Sequence, residues 1–119
     1  MQYVCLIYQG STPLPDTPEW TSLPADEQQA IYADYAALGA LPNVTPGLPL
    51  GSLSQARTVT VHAGQTRCAD GPFVDAIDAI GGYFIVEADD VEAAVAVASQ
   101  IPAARLGGAI EVRPVETYW

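Results

Sequence analysis

Two side chains in this sequence, Asp70 and His62, are of the types that move protons in enzymes. Asp70 opens an acidic turn, Asp70-Gly71-Pro72-Phe73, directly after a strand-like segment. A carboxylate at a strand end beside a cleft can serve as a general acid or base once it is desolvated. His62 is the only histidine, and imidazole is the side chain that titrates nearest neutral pH. We therefore take Asp70 and His62 as the candidate catalytic residues, with Asp70 in the leading role.

Both residues also have simple structural explanations. The Asp70 carboxylate can accept hydrogen bonds from the backbone of the turn that it begins. Alternation along the strand groups His62 with Thr58 and Thr60. His62 then points into a cavity if that side of the sheet is free of helices, and is merely exposed if it lies beyond the strand end. The sequence leaves these alternatives open.

Four further side chains are candidates for binding a substrate: Asp75, Tyr83, Glu111 and Arg113. Glu111 and Arg113 share one side of the last predicted strand, where the guanidinium can hold a substrate carboxylate or form an ion pair. Asp75 extends an acidic cluster with Asp78, which otherwise forms a solvated surface. Tyr83 lies on a predicted strand, where its ring either lines a cavity or packs in the core.

The sequence gives metal and cofactor chemistry no support. One histidine and two separated cysteines, Cys5 and Cys68, are a poor ligand set for zinc, and the acids lack EF-hand spacing. Both cysteines lie on predicted strands without CxxC spacing, so we expect them to be buried apolar side chains. The absence of lysine excludes a Schiff base on this chain, and no nucleotide-binding or common hydrolase motif is present. We expect neither a metal nor a cofactor.

The composition narrows the classes of partner. Fourteen acids and four arginines give a formal net charge of −10, which repels nucleic-acid phosphates and anionic lipid surfaces. We expect neither nucleic acid nor a membrane as a partner. At 119 residues, half of them hydrophobic, residues 1–119 are predicted to form a single domain. No apolar run approaches the ~20 residues that cross a bilayer, and the first residues do not resemble a signal peptide, so we expect a cytoplasmic protein.

Hydrophobic spacing predicts the elements that position the candidates in the first half of the chain. Residues 2–8 combine aromatic and branched side chains without a break, which indicates a central strand covered on both faces. A helix is predicted from about Pro24 to about Leu38. The proline-rich stretches before and after it, residues 9–23 and 40–55, are predicted as irregular loops, with Trp20 holding the first loop to the body.

The second half of the chain reads as strands around one more helix. Residues 57–62 are predicted as a half-buried strand that turns at Ala63-Gly64 and returns over residues 65–69. Phe73, Ile77 and Ile80 are spaced to pack on one side of a short helical turn. A strand at 82–88, with Tyr83 and Ile85 on one face, leads to a helix that begins with a capping box and ends at Pro102, and a last strand covers 109–114. The capping box assigns Asp89 as the cap and Glu92 as the residue that reaches back.

This order of elements is the split βαβ arrangement of ferredoxin-like α+β domains, with a mainly antiparallel sheet. Two helices cover only one face of such a sheet, although the first and third strands carry apolar residues on both faces. An exposed apolar sheet face is unfavourable in water. A second copy packed face to face is the simplest cover, so we predict a homodimer.

Three motifs stand in order at matching distances: residues 70–73, residues 81–90, and the pair Ile101-Pro102 followed by Glu111-Val112-Arg113-Pro114-Val115. Together with the opening strand they resemble the DGPF group of YCII-related proteins over nearly the whole chain. The resemblance implies a ferredoxin-like fold that pairs into a dimeric α/β barrel, a type that includes small isomerases and cofactor-light oxygenases.

The resemblance also implies a catalytic His-Asp pair in some relatives. This chain has no histidine in its first helix region, so that pair does not carry over. Ile77 and Thr60 stand where relatives often have lysine and arginine, and the loss of two cations argues against an anionic substrate.

Two hypotheses follow from these observations. In the first, a homodimer binds a small apolar or weakly polar molecule in a cleft beside the sheet, and any activity is acid–base chemistry such as isomerisation or lyase-type proton transfer. Asp70 leads this chemistry, with His62 and Arg113 as helpers. In the second, the protein is a non-catalytic dimerisation or regulatory module whose acidic surface meets a basic partner.

Overall fold

A computed structural model of the protein describes residues 1–15 and 17–119. The strands are β1 (Gln2–Tyr8), β2 (Val44–Pro46), β3 (Arg57–His62), β4 (Gln65–Asp70), β5 (Ile80–Glu87) and β6 (Ala109–Pro114). The helices are α1 (Pro18–Thr21), α2 (Ala25–Gly39) and α3 (Val91–Ala98), with 3₁₀ turns at Leu53–Gln55, Ala76–Asp78 and Pro102–Ala104. None of the helices in these ranges is long and apolar enough to span a membrane. The fold is α+β with antiparallel strand pairing.

Four strands form the main sheet in the order β2-β5-β1-β6, and every neighbouring pair is antiparallel. The predicted central position of β1 is confirmed, because Cys5 pairs with Phe84 on one side and Val112 on the other. β2 was not predicted and lies within the stretch that the prolines marked as irregular. It is a three-residue edge strand, a position where Pro46 is tolerated.

The core lies between the sheet and the two longer helices. Cys5, Ile7, Phe84, Val86 and Ile101 are buried there, together with Leu38 of α2 and Ala98 of α3. The Tyr35 ring of α2 stacks on Phe84 with 6.3 Å between ring centroids. The predicted first helix is confirmed as α2, and the predicted sides of β5 and β6 are confirmed. The predicted end of the second helix at Pro102 is wrong, because α3 ends at Ala98 and a separate 3₁₀ turn begins at Pro102. The helices therefore cover one face of the sheet. Among the residues that the structure describes, no other layer lies over the opposite face.

One helix starts at a different residue from the one predicted, and one helix was not predicted at all. Asp89 was the predicted cap of α3, and this is wrong by one residue. Asp90 has the extended backbone of a cap, and its Oδ1 accepts a hydrogen bond from the Ala93 N–H at 2.8 Å. The short helix α1 was not predicted; Thr17 caps it, and it buries Trp20, as expected of a residue that holds this segment to the body.

Strands β3 and β4 pair only with each other and form a hairpin outside the main sheet, which we call the β-arm (Arg57–Asp70). The predicted turn is confirmed: Ala63 and Gly64 both have positive φ, 50° and 78°, which is the conformation of a two-residue type I′ hairpin loop. The predicted half-burial is wrong, since Val59 and Val61 are 61% and 67% exposed. The reason is that no layer of the chain lies over the β-arm.

Three further burial predictions are wrong for a related reason. Cys5 is buried as expected, but Cys68 is exposed because it lies on the β-arm. Phe73 and Ile77 do not pack on one side of a turn; they are 82% and 60% exposed. Both lie in the segment that joins the β-arm to β5, where the chain passes along the edge of the body and is not covered by it.

Candidate functional site

The sheet face opposite the helices brings three of the candidate binding residues to one surface, which we call the open face. Its side chains are Val4 and Leu6 of β1, Tyr83 and Ile85 of β5, and Glu111 and Arg113 of β6. Leu6 lies between Tyr83 and Glu111 in the strand register. The apolar members are half-buried and the two charged members are exposed. The open face is an apolar strip with one acid and one base along one side.

Asp70 lies at the base of the β-arm and faces solvent. Its side chain is 93% exposed, and its Oδ1 is 3.9 Å from Nε of Arg57. The turn that it begins is held by other groups: the Gly71 N–H donates to the Ala56 carbonyl, and the Thr58 hydroxyl donates to the Gly71 carbonyl, both at 2.8 Å. The Asp70 carboxylate is therefore free to contact another molecule.

His62 and Asp70 occupy opposite ends of the β-arm. His62 pairs with Gln65 at the tip, whereas Asp70 pairs with Arg57 at the base. Five strand residues separate the two levels, which corresponds to roughly 17 Å. One chain therefore does not bring the two candidate catalytic residues to the same point.

A groove of about 560 Å³ opens at the Tyr8 end of β1. Its walls come from residues 50–53, 55 and 56 of the loop after β2, from residues 72–74 after the β-arm, and from residues 78–80 at the start of β5. Leu50, Phe73 and Ile80 make much of the wall apolar. The groove has the size and the apolar lining that suit a small organic molecule.

Two polar side chains, Tyr8 and Asp78, lie where this groove meets a second pocket of about 360 Å³. Within the described part of the chain, Asp78 is the one charged residue that lines the larger groove. Asp78 is exposed, as expected of the acidic cluster that it forms with Asp75. No local pattern in the sequence marks Asp78 as a groove residue, because most of the other lining residues come from β1 and from the loop after β2.

Asp75 lies outside the groove lining and precedes the 3₁₀ turn Ala76–Asp78 without making a side-chain cap to it. Among residues 1–15 and 17–119, no three His, Cys, Asp or Glu side chains are close enough to hold a metal ion. The arrangement can bind an apolar molecule and offer it a phenol as a hydrogen-bond donor and a carboxylate as a proton acceptor.

Comparison with known proteins identifies the family. A family model for the YCII-related domain matches residues 1–118. No curated protein matches the chain at a significant level. The match covers the open face, the β-arm and the groove together, and it confirms the resemblance to YCII-related proteins. The chain therefore belongs to the YCII-related family.

Proposed function

We propose that this YCII-related protein acts as a homodimer that binds a small, largely apolar molecule in the groove beside its sheet and supports acid–base chemistry on it. The observation that carries the proposal is the groove of about 560 Å³, whose lining joins the apolar Leu50, Phe73 and Ile80 to Tyr8 and Asp78. A few polar groups in an apolar cavity are typical of small-molecule sites, because the walls supply affinity and the polar groups fix orientation.

The proposed assembly is a ferredoxin-like split βαβ fold that pairs into a dimeric α/β barrel. The strand order β2-β5-β1-β6, with helices on one face, supports this topology. The apolar strip of Val4, Leu6 and Ile85 on the open face supports an interface with a second copy on this face. Full burial of such a side chain contributes about 1.5–3 kcal/mol, so covering these half-buried residues in both copies favours association.

Proton transfer is assigned to Asp70 and His62, in line with their side-chain chemistry, although neither residue lines the groove of its own chain. Because roughly 17 Å separates their levels on one β-arm, a shared substrate would have to meet Asp70 of one copy and His62 of the other. Arg113, Glu111 and Tyr83 on the open face, and Asp75 beside the groove, are proposed to hold the substrate.

The groove is tested with the neutral apolar dye Nile red as a stand-in ligand. Phe73→Ser removes an aromatic wall, and we expect it to weaken dye binding on the order of tenfold, which corresponds to about 1.4 kcal/mol. Val95→Ser is the matched control, because Val95 is also an exposed apolar residue, 50% exposed on α3, but lies outside the groove. Equal dye affinity in the wild type and Phe73→Ser would contradict the proposed site.

The dimer and the chemistry are tested separately. Analytical ultracentrifugation at micromolar concentration should give the mass of two chains, and a monomer there refutes the assembly. Once a turned-over substrate is found, Asp70→Asn and His62→Ala should each lower turnover. Unchanged turnover in both variants would remove the acid–base assignment while leaving ligand binding intact.

A second candidate function is a non-catalytic dimerisation or regulatory module. The excess of ten negative charges favours it, because an acidic surface attracts a basic partner. Dye binding by the dimer separates the two functions. If side chains of the second copy fill the groove, Nile red does not bind, and the non-catalytic module is favoured.

A further inference from the structure

The β-arm has one apolar side that nothing in its own chain covers. Val59 pairs with Cys68 and Val61 pairs with Thr66, so these four side chains share one side of the hairpin, with the Arg57–Asp70 pair at its base. All of them are exposed. The opposite side carries Thr58, Thr60, His62, Gln65, Arg67 and Ala69. A two-stranded hairpin alone is marginally stable in water, so an ordered ladder with a bare valine side indicates a missing partner.

The separate pairing of β3 with β4 and the extended shape of the chain together indicate that the β-arm projects sideways and is not folded over the body. The radius of gyration is 16.1 Å, whereas a compact chain of this length has about 13.5 Å. The molecule is 49 × 41 Å across but only 19 Å thick. Sheet and helix layers are about 10 Å apart, so this thickness holds the two layers of the body and no third layer. The open face therefore stays clear of its own β-arm.

Charge distinguishes the β-arm from the rest of the chain. It holds two of the four arginines, Arg57 and Arg67, and one of the fourteen acids, Asp70. The other 105 residues hold thirteen acids and two arginines. Arg67 lies on the side opposite the valines, so the attraction of the net positive β-arm to a strongly acidic body acts at long range. The body of a second copy is the surface that has this charge and also bares an apolar strip.

We propose that the β-arm docks across the open face of a second copy of this chain, with Val59 and Val61 against the strip that Val4, Leu6 and Ile85 form. This inference rests on the proposed homodimer and names the element that holds it together. The apolar sides of the arm and the sheet cover each other, and in a two-fold dimer each copy both gives and receives an arm.

The first test substitutes a residue on the valine side of the β-arm and leaves the residues of the open face unchanged. Val59→Asp puts a charge into the docked side, and we expect the dimer dissociation constant to rise tenfold or more in sedimentation equilibrium. Thr60→Asp is the matched control on the other side of the same strand, and it should leave the constant within about twofold. Circular dichroism of both variants confirms that the body remains folded.

The second test uses the native thiols as reporters. Cys68 lies on the docked side, so its alkylation by iodoacetamide should slow at least tenfold as the concentration rises and the dimer forms. Cys5 is fully buried, and burial raises the pKa of its thiol, so it stays unreactive in both states and serves as the internal reference.

The outcomes separate the arm from the dimer. A wild-type dimer in which Val59→Asp has no effect, or in which Cys68 reacts at its monomer rate, overturns the docking of the β-arm and leaves the homodimer standing. Efficient Cys68–Cys68 cross-linking by a short bismaleimide also overturns it, because that result means that the arms pack on each other. A wild-type monomer at every concentration refutes the homodimer and the inference together.

Discussion

Replacement of Gly47 by alanine should destabilise the protein because the chain passes too close to β5 there to admit a side chain. The Gly47 N–H donates to the Tyr83 carbonyl at 3.0 Å. A Cβ on Gly47 would lie 2.5 Å from that carbonyl oxygen and 2.6 and 2.7 Å from two atoms of the Tyr83 ring. The ring can rotate, but the carbonyl belongs to a central strand and cannot retreat. Overpacking of this kind costs about 1–3 kcal/mol.

Urea unfolding at fixed protein concentration measures this loss, and a thermal melt should show a decrease of about 4–12 °C for a chain of this size. Gly39→Ala is the control: a Cβ there meets only Pro46 Cγ, at 3.7 Å, and Gly39 is helical. Alanine is favoured over glycine in a helix by up to about 1 kcal/mol, so the control should be stabilised. An unchanged urea midpoint for Gly47→Ala would refute the reasoning. The added methyl group should also displace the Tyr83 ring and so change the open face.

Two further predictions concern the helices. Asp90→Ala should cost about 1 kcal/mol in urea unfolding because it removes the cap of α3. Asp89→Ala should cost only about 0.3 kcal/mol, because it acts through the helix dipole alone. Equal losses of stability in the two variants would contradict the assigned cap. Burial raises the pKa of Tyr35 above its ordinary 10.0, against smaller opposing effects of the Ala103 backbone and the Arg105 charge. The folded state therefore favours the neutral phenol, so the stability that this gives is full below pH 10 and is lost as the pH rises through the raised value. Urea unfolding measured from pH 8 to 11 should show that Tyr35→Phe loses less stability over this range than the wild type does. Equal losses of stability would argue against the buried phenol.

Short-range patterns in the sequence were enough for most of the elements and for the sides of the strands. Alternation placed Glu111 and Arg113 on one side of β6, and helical spacing gave α2 and α3, because these periods follow from local backbone geometry. The hairpin turn at Ala63-Gly64 was likewise predictable. The DGPF turn and the motifs after it identified the family. These features depend on neighbours within a few residues, so one sequence contains the information.

The tertiary structure alone decided what covers each side. Alternation grouped Val59 with Val61, but it could not tell that this side has no layer over it, because coverage depends on residues far away in sequence. The same holds for Asp78, whose neighbours in the groove come from β1 and from the loop after β2. It holds again for Asp70 and His62, which one hairpin sets at opposite ends. Side-chain chemistry and local spacing were determined by the sequence, whereas burial and proximity were determined by how the strands and loops meet.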